Sequence, residues 1–160
     1  MHRTKIDLPE MMRLKLASYL NSRLADCLDL GTQAEFAHWN VKGPHFRHLH
    51  ELFDDLAEDI EEYADLIAER LVQLGGTAHG TARQIAAGSS LREYPHNAVS
   101  GVQHIEAMSV ALAEFARSAR EAITHTTELG DVDAADIFTE ISRGVDKWLW
   151  IVESHALTSE

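Results

Sequence analysis

The chain has 160 residues, of which 45% are hydrophobic and 25% charged, and its formal net charge is −12. This length suits a single domain with a substantial core, and the composition is typical of folded globular proteins and not of disordered segments. A strongly negative surface repels nucleic-acid phosphates and attracts cations, and no apolar run reaches the roughly 18 residues needed to span a membrane.

Two features of the sequence bear on the cellular compartment. The amino-terminal segment carries Arg3 and Lys5 but no apolar run after them, so we expect no secretory signal. Cys27 is the single cysteine and cannot form an internal disulfide, and its helical spacing from Leu24 and Leu28 predicts a buried thiol. A reducing cytoplasm is therefore the expected location.

Apolar residues at helical spacing predict a first helix from about Pro9 to about Trp39. Asp7 and Glu10 have the spacing of a capping box, and proline is tolerated in a first turn. Gly31 should cost up to about 1 kcal/mol relative to alanine, which indicates close packing at that position. The predicted inner face consists of Leu14, Leu16, Ala17, Leu20, Leu24, Cys27, Leu28, Ala34 and Ala37.

The turn at Lys42-Gly43-Pro44 leads into a second predicted helix, from about His45 to Leu74, which ends at two glycines. Its apolar steps of three and four residues are those of a bundle helix. The predicted inner face consists of Phe46, Leu49, Phe53, Leu56, Ile60, Tyr63, Ile67, Leu71 and Leu74.

Residues 75 to 97 form an irregular connection in which only Ala82 to Ala87 favours a short helix. A third long helix is predicted from about Ala98 to Thr126, and a fourth from about Asp133 to His155. The inner residues of the third begin with Val102, Ile105 and Met108.

These elements predict an all-α fold without a sheet. Short connections make the first and second helices, and the third and fourth, antiparallel neighbours. One long crossover in a four-helix bundle is the ferritin-like arrangement, here with a short helix in the crossover. We expect residues 1–8 to form a short arm and residues 9–157 to form the bundle.

Five side chains of ligand type, His38, His50, Asp54, Asp65 and Glu69, lie at and after the first turn. On the second predicted helix, at 100° per residue, the last four span only about 100° of the circumference. Asp54 and Asp65 are nevertheless about 16 Å apart along the axis, whereas metal–ligand bonds are only about 2 Å long.

One copy of the chain therefore cannot bind a single ion with both the His50/Asp54 pair and the Asp65/Glu69 pair. If two copies cross antiparallel near Asp59-Ile60, each His50/Asp54 pair meets the other copy's Asp65/Glu69 pair, and a two-fold axis generates two identical sites. With His38 the set has two imidazoles and three carboxylates, which suits Fe(II). The alternative from geometry alone is that these are ordinary surface groups.

Several short segments of the sequence form a recognisable set. They are His38-Trp39-Asn40, Lys42-Gly43, His50-Glu51, Asp54, Asp65, Ala68-Glu69-Arg70, Gln73-Leu74-Gly75-Gly76, Tyr94-Pro95 and Asp146-Lys147-Trp148-Leu149-Trp150. Together they resemble the Dps family, the bacterial miniferritins also called DNA-binding proteins from starved cells. The likeness extends from about Asp7 to His155.

The resemblance implies a hollow homo-dodecamer with a ferroxidase centre at each two-fold interface. The ligand roles of the family fall on His38, His50 and Asp54 of one subunit and on Asp65 and Glu69 of its neighbour. The implied activity is oxidation of Fe(II), preferentially by hydrogen peroxide rather than dioxygen, with storage of ferric mineral in the shell and protection of DNA in the bacterial cytoplasm. Zinc is the alternative ion for this site in the protein as purified.

Trp39, beside His38, is either an auxiliary catalytic residue that quenches one-electron oxidants or a packing aromatic. Two further groups also have two readings. Asp133, Asp136 and Glu140 resemble the acidic iron-entry pore of the family, although an isolated acidic first turn is also favoured by the helix dipole. His79 is either an additional metal ligand or an ordinary loop histidine.

Family members that condense DNA often use a mobile lysine-rich tail. The arm of this chain offers only His2, Arg3 and Lys5. We therefore expect DNA binding to be weak or absent at physiological salt, and we expect no membrane association.

Two rival functions stay open. A diiron-carboxylate enzyme with its site inside one bundle needs two Glu-x-x-His pairs, but Glu35 and His38 give the only usable one, because Glu93 and His96 flank a proline. The other rival is a DNA-packing or structural dodecamer with little ferroxidase activity.

Overall fold

The computed structural model of this protein describes residues 1–156, which form an all-α bundle. No strand occurs among those residues, and one isolated bridge joins Lys42 to Ser100. The helices are α1 (Glu10–Asn40), α2 (Phe46–Gln73), α3 (Ala82–Gly88), α4 (Gly101–Glu128) and α5 (Val132–Ser154).

This architecture confirms the predicted fold class. Four long helices are present, and the crossover between α2 and α4 carries the short helix α3, which packs against α1. The two main helix pairs are α1 with α2 and α4 with α5. No predicted helix boundary lies more than three residues from the observed one, while the predicted end of the bundle at residue 157 lies outside the described residues.

Phenylalanine and leucine side chains from all four long helices fill the core, with Phe53, Phe115 and Phe138 among the largest that are fully buried. Cys27 is buried as predicted, and burial raises the pKa of its thiol above the ordinary value. Gly31 lies against Ile60, so α1 and α2 approach closely there.

Helix ends follow local chemistry, with one prediction wrong. Ser100 and Gln103 form a capping box at α4, which explains why this helix begins at Gly101 and not at Ala98. Asp131 caps α5 by accepting a hydrogen bond from the Ala134 amide. The predicted capping box at α1 is absent, because Pro9 occupies the N-cap position and no side chain caps this helix.

Three residues predicted to face inward are exposed, namely Leu14, Phe46 and Val102. At two of these places a neighbouring polar residue turns inward instead. Arg13 is buried and donates to the carbonyls of Leu8 and Leu74. His104 is fully buried beneath the start of α4.

The amino-terminal segment is tied to the far end of α2. The His2 amide donates to the Gly75 carbonyl at 2.6 Å, and Ile6 and Leu8 pack against the core. Gly75 has φ of 87°, and a side chain there would collide with the His2 carbonyl. Glycine therefore serves both the helix stop and the close approach of the arm.

Candidate metal centre

The end of α1 and the start of α2 bring His38 and His50 into direct contact. The short turn after Asn40 reverses the chain, and the Lys42 amide donates to the Val99 carbonyl at 2.9 Å, which ties the turn to the start of α4. The two imidazole rings are stacked, with centroids 3.8 Å apart and planes inclined by 17°. Both side chains are partly buried, which limits their motion.

Two reciprocal hydrogen bonds define which nitrogen of each ring carries hydrogen. His38 Nδ1 lies 2.8 Å from the His50 carbonyl oxygen, and His50 Nδ1 lies 2.8 Å from the His38 carbonyl oxygen. A carbonyl can only accept, so each Nδ1 must be the donor. In the neutral rings each Nε2 then presents a lone pair. An imidazole that binds a metal through Nε2 needs this tautomer. A hydrogen bond from the other ring nitrogen to a carbonyl is the contact that commonly orients such a ligand.

Asp54 joins this pair from the next turn of α2. One carboxylate oxygen, Oδ1, lies 3.8 Å from His38 Nε2, and about half of the side chain is exposed. The separation is too long for a hydrogen bond but places the carboxylate beside the free nitrogen of His38. His38, His50 and Asp54 therefore form one half-site that faces solvent.

The structure does not bring Asp65 and Glu69 to that half-site. Both are exposed on the last part of α2, and Asp65 lies eleven residues after Asp54, or about 16 Å along a straight helix. Within residues 1–156, no three His, Cys, Asp or Glu side chains are placed to hold one ion, and this includes His38, His50 and Asp54, so the half-site is incomplete in a single chain. The five predicted ligands thus fall into a group of three and a group of two on one helix.

A long depression runs along α1 and α2 between these two groups. One part, of about 470 Å³, is bordered by Gly31, Trp39 and Ala57. The other, of about 750 Å³, is bordered by Asp65, and both parts share Ala64. Its lining combines small residues with glutamates, among them Glu58 and Glu61, and Trp39 stands 69% exposed beside it.

His79 lies beyond the end of α2. It is exposed, and its amide donates to Asn21 Oδ1 at 2.9 Å. Its neighbours Ala78 and Gly80 border the same depression as Asp65. The ligand role of His79 stays a prediction.

Asp133, Asp136 and Glu140 are exposed on the first two turns of α5. Asp133 Oδ2 lies 3.4 Å from Arg70 Nη2. Arg70 also makes a two-pronged contact with Asp131.

That buried ion pair was missed in the sequence. Both Asp131 oxygens accept from Arg70, at 2.6 and 3.1 Å, and its side chain is only 1% exposed. The pair joins the last turn of α2 to the N-terminus of α5, beneath the acidic residues. Asp131 immediately precedes a helix, which is a usable signal for a cap, but nothing in the sequence pairs it with Arg70.

Another histidine, His104, belongs to the core and not to this half-site. Tyr94 Oη lies 2.9 Å from His104 Nδ1, and aromatic rings of Phe36 and Phe53 lie close to the imidazole. Burial lowers the pKa of His104 below its ordinary value.

Comparison with known proteins agrees with this architecture along the whole chain. A family model described as a ferritin-like domain matches residues 17–158. A relative from Agrobacterium fabrum, named DNA protection during starvation protein, is 41% identical over 154 residues, which are 96% of this chain and 95% of that protein.

Solved structures give the same result. DpsC from Streptomyces coelicolor has a TM-score of 0.93 at 27% identity, over 99% of this chain and 92% of that chain. The tetragonal form of Mycobacterium smegmatis Dps has a TM-score of 0.92 at 26% identity, over 98% of this chain and 95% of that chain. No described helix is both long and apolar enough to cross a membrane.

Proposed function

The chain belongs to the Dps proteins of the ferritin-like family, and on that premise we propose that it is a ferroxidase. It oxidises Fe(II), preferentially with hydrogen peroxide, and stores the ferric product inside a hollow dodecamer in the bacterial cytoplasm. The observation that carries this proposal is the half-site of His38, His50 and Asp54, in which each imidazole leaves its Nε2 free and that of His38 lies 3.8 Å from the Asp54 carboxylate.

The missing half of the centre comes from a second copy of the chain. An antiparallel crossing of two α2 helices about a dyad puts Asp65 and Glu69 of one copy opposite His50 and Asp54 of the other. The depression between α1 and α2 supports this arrangement, since it is an open concave surface beside Ala57 and Ala64 that a neighbouring helix could enter.

The side chains bind and orient Fe(II), which is the substrate. Two neutral imidazoles and three carboxylates supply nitrogen and oxygen donors with a charge of −3, enough to favour the ferric product over the ferrous substrate. Reduction of one hydrogen peroxide to two waters takes two electrons, one from each of two Fe(II), and two protons. Delivery of both electrons at one centre avoids the release of hydroxyl radical, and this is how the reaction protects DNA.

Two further residue groups have proposed roles in iron handling. Trp39, exposed beside His38, reduces stray one-electron oxidants at the centre. Asp133, Asp136 and Glu140 of three copies line an entry path at a three-fold axis and concentrate Fe(II) there. The exposure of all three carboxylates supports the second role, because it leaves them open to an approaching cation.

Strong DNA binding is not part of this proposal. The backbone amide of His2 is hydrogen-bonded to the Gly75 carbonyl. The arm carries only two basic side chains, Arg3 and Lys5, in a chain with a net charge of −12. A gel-shift assay at low magnesium should show DNA released at moderate salt. DNA retained at moderate salt would favour the rival, a DNA-packing shell.

Stopped-flow absorbance tests the proposed activity. Mixing the metal-free assembly with Fe(II) and hydrogen peroxide should give fast ferric absorbance, and His50→Ala should reduce it to the slow background of iron in buffer. A wild-type rate equal to that background would leave only a shell without a ferroxidase centre.

A further inference from the structure

A third aromatic ring completes the stack at the half-site. Phe46 lies one helical turn before His50 on α2, and its ring centroid is 5.0 Å from that of the imidazole, with planes inclined by 26°. His38 already covers one face of the His50 ring at 3.8 Å. His50 therefore has one aromatic neighbour on α1 and another one turn earlier on α2.

Phe46 is not explained by core packing. It was predicted to face inward, but 46% of the residue is exposed, and it lies in the first turn of α2 among charged and polar neighbours. On the proposed two-fold arrangement this face lies next to the neighbouring copy, so the exposure seen in one chain does not by itself account for Phe46. Its ring stacks on that of His50, which gives the residue a local role.

We propose that Phe46 is a positioning residue that holds the His50 imidazole in its metal-binding orientation, an inference that rests on the proposed function. The hydrogen bond from His50 Nδ1 to the His38 carbonyl restrains one edge of the ring. The torsion about Cβ–Cγ of histidine is intrinsically broad, so one hydrogen bond leaves the plane free to tilt. Stacking of the His50 ring on both Phe46 and His38 restricts this tilt and keeps His50 Nε2 in the orientation proposed for metal binding.

The chemistry of phenylalanine suits this task. The ring has no polar atom that could compete as a ligand or donate to Asp54. Aromatic pairs in offset or tilted stacks are stabilised beyond simple burial. Loss of the stack should therefore weaken metal binding at the centre by about three- to tenfold, with the other ligands unchanged.

Anaerobic titration with Co(II), followed by its visible absorption, measures binding without oxidation chemistry. Phe46→Leu removes the ring and keeps an apolar side chain, and it should weaken Co(II) binding by about three- to tenfold. Phe46→Tyr keeps the stack and should bind like the wild type. Trp150→Leu removes an aromatic ring that is similarly exposed but lies on α5, and it should have no effect.

Sedimentation of each variant restricts the comparison to assemblies of wild-type size. A metal-free crystal structure of Phe46→Leu supplies a second readout that does not depend on assembly: a tilted or disordered His50 ring supports the proposal, and an unmoved ring overturns it. Wild-type affinity for Co(II) in Phe46→Leu, or equal loss in Phe46→Tyr, also overturns it.

Failure of the proposed function is distinguishable from failure of this inference. A wild-type protein that binds Co(II) through His50, loses affinity in Phe46→Leu and yet does not oxidise Fe(II) would remove the ferroxidase function and leave the positioning role. Rapid Fe(II) oxidation by the wild type together with unchanged Co(II) binding in Phe46→Leu would remove the positioning role alone.

Discussion

Replacement of Asp131 should destabilise the protein far more than replacement of a similar aspartate on the surface. Asp131 is 1% exposed and accepts both prongs of the Arg70 guanidinium, which is itself only 11% exposed. Removal of one partner of such a pair leaves an uncompensated buried charge, which costs about 3–5 kcal/mol in the free energy of unfolding. Asp131→Ala also removes the N-cap of α5, worth about 1 kcal/mol more.

The chain contains a matched control for this perturbation. Arg120 likewise makes two hydrogen bonds to Asp146, at 2.8 and 3.0 Å, although both come from Nη1, and both side chains are about half exposed. Solvent screening reduces such a pair to about 0–1 kcal/mol, so Asp146→Ala should change stability little. Burial, and not the number of hydrogen bonds, accounts for the difference.

Urea denaturation at one fixed protein concentration, followed by tryptophan fluorescence, measures both losses. Asp131→Asn should fall between the two alanine variants, because the amide oxygen still accepts from Ala134 while the charge that pairs with Arg70 is gone. The remaining contact from Asp133 to Arg70 should reduce the loss without abolishing it. Losses within about 1 kcal/mol of one another for Asp131→Ala and Asp146→Ala would refute the reasoning from burial.

Three further predictions concern other parts of the molecule. Burial lowers the pKa of His104, so protonation of this imidazole favours the unfolded chain. The neutral imidazole should therefore make its full contribution to the free energy of unfolding above the unfolded pKa of about 6.5, and stability should fall as pH drops below it. The urea midpoint of His104→Gln should vary less with pH than that of the wild type. Gly144→Ala should lower stability by about 1–3 kcal/mol in urea titrations, since the new Cβ would lie 2.7 Å from Tyr63 Cζ. Asp133→Asn combined with Asp136→Asn should slow iron uptake, measured by ferric absorbance, while sedimentation shows an intact assembly.

Each of these has a result that would count against it. Identical pH profiles for His104→Gln and wild type would mean that other groups set the acid sensitivity. Gly31→Ala is the control for Gly144→Ala, because its Cβ would lie at an ordinary 3.4 Å from Ile60 and helix propensity improves; equal destabilisation by both would contradict the packing argument. Unchanged uptake kinetics in the pore variant would refute the entry role.

Helical periodicity was sufficient to predict the fold. The apolar spacing of α2, from Leu49 to Leu71, leaves one consistent inner face, and Gly75 with Gly76 marks its end. Local rules failed where two elements compete for the same space. Arg13 displaces Leu14 from the inner face because the carbonyls at the end of α2 need a donor. The apolar pattern of a single helix contains no information about such contacts with another helix.

The candidate site was partly predictable for the same reason. The i, i+4 spacing of His50 and Asp54 places them together on any helix, and His38 follows from the short turn. The reciprocal hydrogen bonds between His38 and His50, and the stack of Phe46, depend on side-chain orientations that the sequence does not encode by spacing. Phe46 was assigned to the core because hydrophobicity alone cannot distinguish a buried ring from one that supports a ligand.

The central claim is that two copies of the chain complete each centre. His50→Ala removes a ligand from the half-site of three, and Glu69→Ala removes one from the half-site of two, so each variant alone should lack rapid Fe(II) oxidation. In a mixed assembly made by coexpression, random pairing makes about half of the two-fold pairs heterodimeric, and one of the two centres in each is then fully wild type.

Stopped-flow oxidation of Fe(II) by hydrogen peroxide in that mixed assembly is the most direct measurement. We expect recovery of about one quarter of the wild-type amplitude, from the centres that combine His50 of one chain with Glu69 of the other. Activity no greater than that of either parent, in assemblies shown by mass spectrometry to contain both chains, would contradict it.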